Sequence, residues 1–522
     1  MMKFRLVDAA VVFAYLIGLT LLGLRFARRQ TSTDAYFVAK RSIPSWAMGI
    51  SILTTLVTSV AFIAYPGSSY GNNWSLLVPG FMILVILALV GAIIVPFYRQ
   101  EVGISAYEYF GKRFGQPTRV YTAIAFAAGH FSKMGFVLYL AALTINSMTG
   151  WNVDQIIVAV GTLTILYTLR GGLEAVIWTE FVQGIILWTG ISICLGFLLF
   201  LPPGGPTAVF HVAAINHKFS LGSTDWDFRQ QTIPVLLIYG FFWYLQKYTA
   251  DQTIVQRYLV AKTDRLALKG VALGATLCVP VWTLFMLIGT CTWAFYKLTG
   301  EKLPAYVTTA DQVFPHFLTT HLPPGVGGVI IAALIGSSMC ALASDLNSLS
   351  SVGVVDLYPM VRPRANDQQR LRMGKYIVAA CGIACVATAL ILAQARGSAL
   401  SLWFTLSAIT SGGVVGIWGL AFLTTKGSRR GVYFGIGVTQ IFTIWASLTL
   451  PGKRVIDLGV WNFPWHDYMI GAIGHVLLFV FGYAGSLIWP HRGTAEEQRQ
   501  QITLWSWLRS QRVRSDGSKI RV

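Results

Sequence analysis

The sequence predicts an all-α polytopic membrane protein, and three of its features carry that prediction. Of its 522 residues 55% are hydrophobic and only 12% charged, about half the roughly 25% charge of a soluble domain. Apolar stretches of about 20 residues, each long enough to cross roughly 30 Å of hydrocarbon as a helix, recur along the whole chain without a linker of soluble composition. Lys and Arg concentrate in alternate connections. Arg25, Arg28, Arg29, Lys40 and Arg41 follow the first stretch, whereas residues 68–73 hold no basic residue. Arg99, Lys112, Arg113 and Arg119 come next, then a neutral turn at 149–152, then Lys262, Arg265 and Lys269. By this topology about 30 of the 40 basic residues fall on one side, the positive-inside bias of membrane proteins. The net charge of +19 therefore reflects orientation and lipid contact, not nucleic-acid binding.

About 13 spans are predicted. They start near Val7, Trp46, Trp74, Val120, Val153, Ile177, Thr232, Gly270, Val326, Met373, Leu400, Gly431 and Asp467. The N-terminus falls outside and the C-terminus in the cytoplasm, as for a multi-pass protein of a bacterial plasma membrane. Residues 1–495 form one membrane domain, and 496–522 a basic cytoplasmic tail. The first stretch, 7–24, lacks the basic n-region and cleavage site of a signal peptide and is read as a retained helix. Residues 105–114 are short, amphipathic and basic, which suits a helix lying on the inner membrane face. Residues 207–231 and 299–325 read as outer loops. The tail sets Trp505, Trp507 and Leu508 among arginines, either as a segment on the inner leaflet or as a frayed end. All six cysteines lie in apolar stretches, where they read as packing residues rather than a disulfide or zinc framework.

Polar residues inside spans narrow the function. Thr54, Thr55, Thr58 and Ser59 place four hydroxyls within six residues of span two, between Gly49 and Pro66-Gly67. One or two hydroxyls are absorbed by their own helix; four point to an interrupted helix whose freed carbonyls line a polar cavity. Span nine repeats the theme with Gly336-Ser337-Ser338, and Ser337, Ala341 and Ser344 share a helical face. Asp345 and Asn347, near its inner end, read as capping residues. Lys133 lies mid-span, where an ammonium costs about 2.5–3.5 kcal/mol, so it faces a cavity or an acidic partner. Glu180 sits just inside span six beside Thr179 and Gln183, either as an interfacial carboxylate or as a cation ligand. His130 and His475 fall within spans without an obvious partner. No phosphate loop, HExxH or spaced His/Cys cluster is present, so an enzyme is not expected.

Four motifs, quoted as they stand, resemble the sodium/solute symporter family. They are ISAYEYFGKRF at 104–114, GGLEAVIWTEFVQ at 171–183, DQTIVQRYLVAK at 251–262, and NSLS at 347–350 ending in DLY at 356–358. They keep the family's order and spacing over most of the chain, and the bacterial sialic-acid branch is the most similar. The resemblance implies a leucine-transporter-like fold with two inverted five-helix repeats, about 44–200 and 232–424, preceded by a helix at 6–25 and followed by two helices within about 431–490. It implies cation-coupled symport of a small organic solute, a carboxylate or sugar acid, by alternating access, with sodium as the coupling ion and no organic cofactor. It places Leu56, Thr58, Ser59, Ala61, Leu76, Gly80 and Lys133 around the solute. Lys133 falls where the branch carries a carboxylate-binding Arg, and Gly80 where it carries Gln.

For sodium, the resemblance assigns the carbonyls of Thr54 and Val57 and side chains of span nine. Here the family's paired hydroxyls fall on Cys340 and Ala341, and only Ser337 keeps an oxygen, so the site is degenerate for a hard cation. Glu180 stands where a second cation site of that branch has Asp. Two alternatives stay open: sodium-independent transport, proton-coupled or by exchange, with Lys133 or Glu180 titrating, and a solute sensor that does not translocate. No motif specifies an oligomeric state.

Overall fold

The computed structural model describes residues 6–305, 307–394, 412–452, 454–490 and 502–519. Among them eight helices are long and apolar enough to cross a membrane, and a bent pair forms a ninth. Helix α1 (Leu6–Arg25) buries Val12, Leu16, Leu19 and Gly23, a stripe at helical spacing. Near its start, Asp8 accepts the N–H groups of Gly325 (2.8 Å) and Gly328 (2.7 Å), so it caps a helix more than 300 residues away.

The second span is broken. Helix α2 (Ser45–Leu56) and helix α3 (Ser59–Gly71) meet at a bend of 56°. Helix α4 (Val78–Leu89) continues through one π-helical turn into α5 (Val95–Glu101), and a short helix α6 (Tyr107–Phe114) precedes the 34-residue α7 (Gln116–Thr149). Helix α8 (Val153–Phe200) has 48 residues, about twice the length that one crossing needs. It turns at Gly172, whose φ of 58° and ψ of −160° suit glycine alone; a Cβ there would lie 2.8 Å from the Tyr36 carbonyl oxygen.

The pattern of a broken span recurs in the second half. Helix α9 (Ile233–Thr249) and helix α10 (Gln252–Leu259) are separated at Ala250–Asp251, with the Asp251 carboxylate accepting from the Thr253 N–H. Helices α11 (Asp264–Thr299), α12 (Ala310–His321), α13 (Val326–Val352) and α14 (Asp367–Gln394) follow. Every residue of α13 from Ile330 to Val352 is buried, as expected of a helix surrounded by protein. Helices α15 (Val414–Leu423), α16 (Arg429–Leu448), α17 (Tyr468–Ile488) and α18 (Leu504–Lys519) complete the order. The span predicted from Leu400 lies outside the described residues up to position 411, as does the start of the tail at 496–501.

Three expectations change. The segments 207–231 and 299–325 are not loops throughout, since they carry the helix Gly205–Ile215 and α12. Helix α6 does not lay its apolar side on lipid: Tyr107, Tyr109, Phe110 and Phe114 are fully buried in protein, and the Arg113 guanidinium donates to the Thr424 carbonyl (2.8 Å). The described part of the tail is neither frayed nor free on the leaflet. Trp507 is buried, its indole N–H donates to Gln100 (2.9 Å), and Trp505 donates to the Leu423 carbonyl (2.9 Å). Trp507→Ala is expected to detach α18 alone, since terminal segments open locally at low cost. Proteolysis at 504–519 would then accelerate while the thermal midpoint of the membrane domain stays unchanged; a shift of that midpoint by several degrees would show that the tail supports the core.

Candidate solute and cation site

Hydroxyls shape the break in the second span. Thr54 donates to the carbonyls of Ile50 and Ser51 (3.1 Å each) and Thr55 to that of Ser51 (2.7 Å), bonds that compete with the regular ladder. The ladder ends where Val57 N–H meets the Leu53 carbonyl (2.9 Å). Val57 (φ −97°, ψ 89°) and Thr58 (φ −88°, ψ 170°) are then extended. The carbonyls of the last turn thus lack helical donors, and those of Thr54 and Val57 are among them.

Beside this break lies a cavity of about 430 Å³, within the size range of small-molecule sites. Leu56, Thr58, Ala61, Leu76 and Lys133 all line it, with Thr55, Thr253 and Lys247. Aromatic rings form its walls: Tyr65 stacks on Trp282 (6.4 Å) and Tyr239 on Tyr468 (4.4 Å). Gly80 is not brought to the cavity. A Cβ there would lie 2.8 Å from the Trp282 ring, which covers it. The Ser59 side chain lies outside the described residues. A second cavity of about 490 Å³ shares Leu76 and Tyr468 with the central one, and a third of about 200 Å³ shares Lys133, Trp243 and Lys247. The three therefore follow one another along the molecule.

Where α3 ends, the Lys218 ammonium donates to the carbonyls of Ser69 (3.3 Å), Tyr70 (2.7 Å) and Asn72 (3.0 Å), and sits 4.8 Å from the Trp293 ring. A cation at the C-terminal end of α3 suits the helix dipole. Burial holds this ammonium below its ordinary value. Burial also pushes the Asp311 carboxyl up; it packs against Gly67, where a Cβ would meet its Oδ1 at 1.9 Å.

Lys133 has both of the partners its position called for. It opens on the central cavity with 31% of its side chain exposed, and its Nζ lies 3.0 and 2.9 Å from the two carboxylate oxygens of Asp345. Asp345 is therefore not a helix cap; it is wholly buried on α13. His130, one turn before Lys133, lies between two carboxylates: Nδ1 is 2.7 Å from Asp345 Oδ1 and Nε2 is 3.0 Å from Asp251 Oδ2. Lys247 reaches the same Asp251 oxygen at 2.5 Å. Sequence reading found Lys133 and missed the rest. The signal within reach was the three-residue spacing of His130 and Lys133, which puts both on one face of a membrane helix.

The cation candidates separate into two groups. Ser337 Oγ is buried and accepts or donates no hydrogen bond among the described residues, the kind of orphaned oxygen that a bound cation satisfies. Its neighbours on α13 give less: the Cys340 thiol donates to Gln183 Oε1, and Ala341 presents only a methyl. Span nine thus offers one unpartnered hydroxyl oxygen, at Ser337, where a pair of hydroxyls would give two. Glu180 is committed elsewhere. Its wholly buried carboxylate takes the Arg257 guanidinium at 2.7 Å and the hydroxyls of Ser51 and Ser344. Among the described residues no group of three or more His, Cys, Asp or Glu is disposed to hold a metal.

A broken membrane helix with a cavity at its break, which shares lining residues with two further cavities, fits a transporter that works by alternating access. The chain belongs to the sodium:solute symporter family, whose model matches residues 36–437. It is 30% identical over 499 residues to the sodium/sialic acid symporter NanT of Aliivibrio fischeri, covering 95% of this chain and 96% of that protein. To the sodium/sialic acid symporter SiaT of Proteus mirabilis it is 29% identical over 441 residues, covering 84% and 89%. A solved Na⁺-coupled sialic acid symporter, substrate-bound and outward-open, superposes with a TM-score of 0.85 at 28% identity, over 93% of this chain and 98% of that one. The nucleobase-cation-symport transporter Mhp1, at 16% identity and a TM-score of 0.54 over 90% of this chain and 99% of that one, shares the fold. The protein is thus a multi-pass secondary transporter of leucine-transporter-like fold, not an enzyme. It moves a small solute with sodium as the coupling ion.

Proposed function

We propose that the solute is a sugar acid or similar small hydroxylated carboxylate, held in the central cavity with its carboxylate on Lys133. The single observation that carries this reading is the Lys133 ammonium, which opens, together with Lys247, on a cavity that also presents aromatic rings and hydroxyls and, among the described residues, no carboxylate. Rings of this kind suit the apolar face of a sugar, and the hydroxyls of Thr58 and Thr253 suit its polar edge. The sialic acid transported by the named relatives belongs to the same chemical class. Lys keeps a point charge but offers no planar fork, which favours carboxylates of varied shape over one tightly read ligand.

Sodium is placed at the break, on the carbonyls of Thr54 and Val57 with Ser337; Glu180 serves as the partner of Arg257. The excess of basic residues in one set of connections supports a plasma-membrane orientation with the N-terminus outside and the C-terminus in the cytoplasm. The two inverted repeats correspond to α2–α8 and to α9 onward through α15.

Uptake of N-acetylneuraminate and of smaller sugar acids into proteoliposomes, with and without an inward sodium gradient, tests the reading. Lys133→Met is expected to weaken the apparent affinity for carboxylates by about 10- to 100-fold, since a hydrogen bond to a charged group contributes about 1.5–3 kcal/mol. Wild-type carboxylate uptake in that variant would sink the assignment.

A further inference from the structure

His130 touches a carboxylate with each ring nitrogen, at 2.7 and 3.0 Å. A neutral imidazole has one N–H and one lone pair, so a neutral ring would set its lone pair against one carboxylate at hydrogen-bond distance. Protonating a carboxylate instead is disfavoured by the donors already on both. Asp251 accepts from Lys247 Nζ (2.5 Å), Thr253 N–H (2.9 Å) and Thr253 Oγ1 (2.5 Å), and Asp345 from Lys133 Nζ (3.0 Å). The arrangement in which every contact is a hydrogen bond has a proton on both ring nitrogens.

The charges then matter. Two ammoniums, one imidazolium and two carboxylates leave one net positive charge, and both ammoniums line the solute cavity. One solute carboxylate balances it. With a neutral His130 the cluster has no charge left to balance. Two further titratable groups lie near the cluster among the described residues: Tyr107 of α6, which lines the same cavity as His130 and whose hydroxyl donates to the Ala250 carbonyl (2.9 Å), and Cys385 of α14, within electrostatic reach of Asp345. Both are neutral in their ordinary state near pH 7, so neither offsets the sum. Phe126 covers one face of the ring at 4.1 Å. His130 and Asp251 both line the cavity of about 200 Å³.

We propose that His130, between Asp345 and Asp251, is a proton-binding site built into the solute cavity, and that one proton and one solute carboxylate bind together. The second half rests on the reading of the solute as an anion. A carboxylate that draws Lys133 away leaves Asp345 more dependent on the imidazolium, so each ligand strengthens the other, and the linkage is reciprocal. At a pH where the solute-free ring has lost its proton, solute binding draws the proton back from water, and release of the solute returns it.

The test uses the full-length protein in lipid nanodiscs. Nitrogen-15 histidine spectra, with His130→Asn to assign the ring, are expected to show both His130 nitrogens protonated at neutral pH, as the two carboxylate contacts require. Calorimetry of N-acetylneuraminate binding in buffers of different ionisation enthalpy is expected to show proton uptake approaching one per solute as the ring titrates. Affinity should fall by up to about tenfold per pH unit above that titration, and lose this dependence in His130→Asn. A neutral His130 ring at neutral pH overturns the proton site, and so does pH-independent binding in the wild type. A charged ring without N-acetylneuraminate binding upholds the proton site and overturns the sugar-acid reading instead.

Discussion

Arg257→Met is expected to lower stability by about 3–5 kcal/mol, the cost of leaving a buried charge without its partner. The side chain is wholly buried, and four of its contacts are hydrogen bonds to different elements. Nε donates to Ser51 on α2 (2.8 Å), Nη2 to Glu180 on α8 (2.7 Å) and to Ser344 on α13 (2.5 Å), and Nη1 to the Thr253 carbonyl of its own α10. Methionine fills much of the volume but satisfies none of these groups, and the Glu180 carboxylate keeps only hydroxyl donors. The double variant Arg257→Met/Glu180→Leu is expected to recover most of the loss, because removing both charges also removes the uncompensated one. Thermal unfolding of the purified protein reads both effects. A double variant as unstable as the two single losses added together would show that the hydroxyl network, and not the ion pair, holds these helices.

The same residues show what a sequence reveals about such a protein. Hydropathy and charge placement gave the spans because the bilayer imposes one constraint at every crossing. The broken second span was legible because its cause is local: hydroxyls cluster there, and those of Thr54 and Thr55 act on their own helix. Lys133 was legible because its cost in a membrane demands a partner. The partner itself was not. Asp345 lies 212 residues away, and Asp251 lies 121 residues from His130, distances over which no periodicity carries information. Asp345 read as a cap because the expected span ended close to it, yet the helix continues to Val352. Glu180 was legible as an oddity and open in role until Arg257 appeared against it. Gly80 was carried to the cavity by likeness of position, and the Trp282 ring over it is a property of packing that one position cannot announce.

Gly289→Val is expected to destabilise the protein by about 3 kcal/mol, at the upper end of the usual cost of overpacking, and to abolish solute-dependent stabilisation. A Cβ at Gly289 would lie 2.0 Å from the Pro66 carbonyl oxygen and 2.1 Å from Ser69 Oγ. The first of these is backbone and cannot rotate aside. The close approach lets Ser69 donate to the Met286 carbonyl (2.7 Å) and brings Phe62 edge-on to Phe285 at 5.3 Å, so α3 and α11 pack as one body. Because α3 starts at the break, any displacement of α3 from α11 also moves Thr58 and Ala61, which line the cavity, and changes the geometry at Val57. Stability and binding should therefore fail together. Gly18→Ala supplies the comparison, since a Cβ there meets nothing within 4 Å, and it should leave both unchanged. Wild-type binding by a destabilised Gly289→Val protein would mean that the cavity is shaped by α2, α7 and α9 and that the α3–α11 contact serves stability alone.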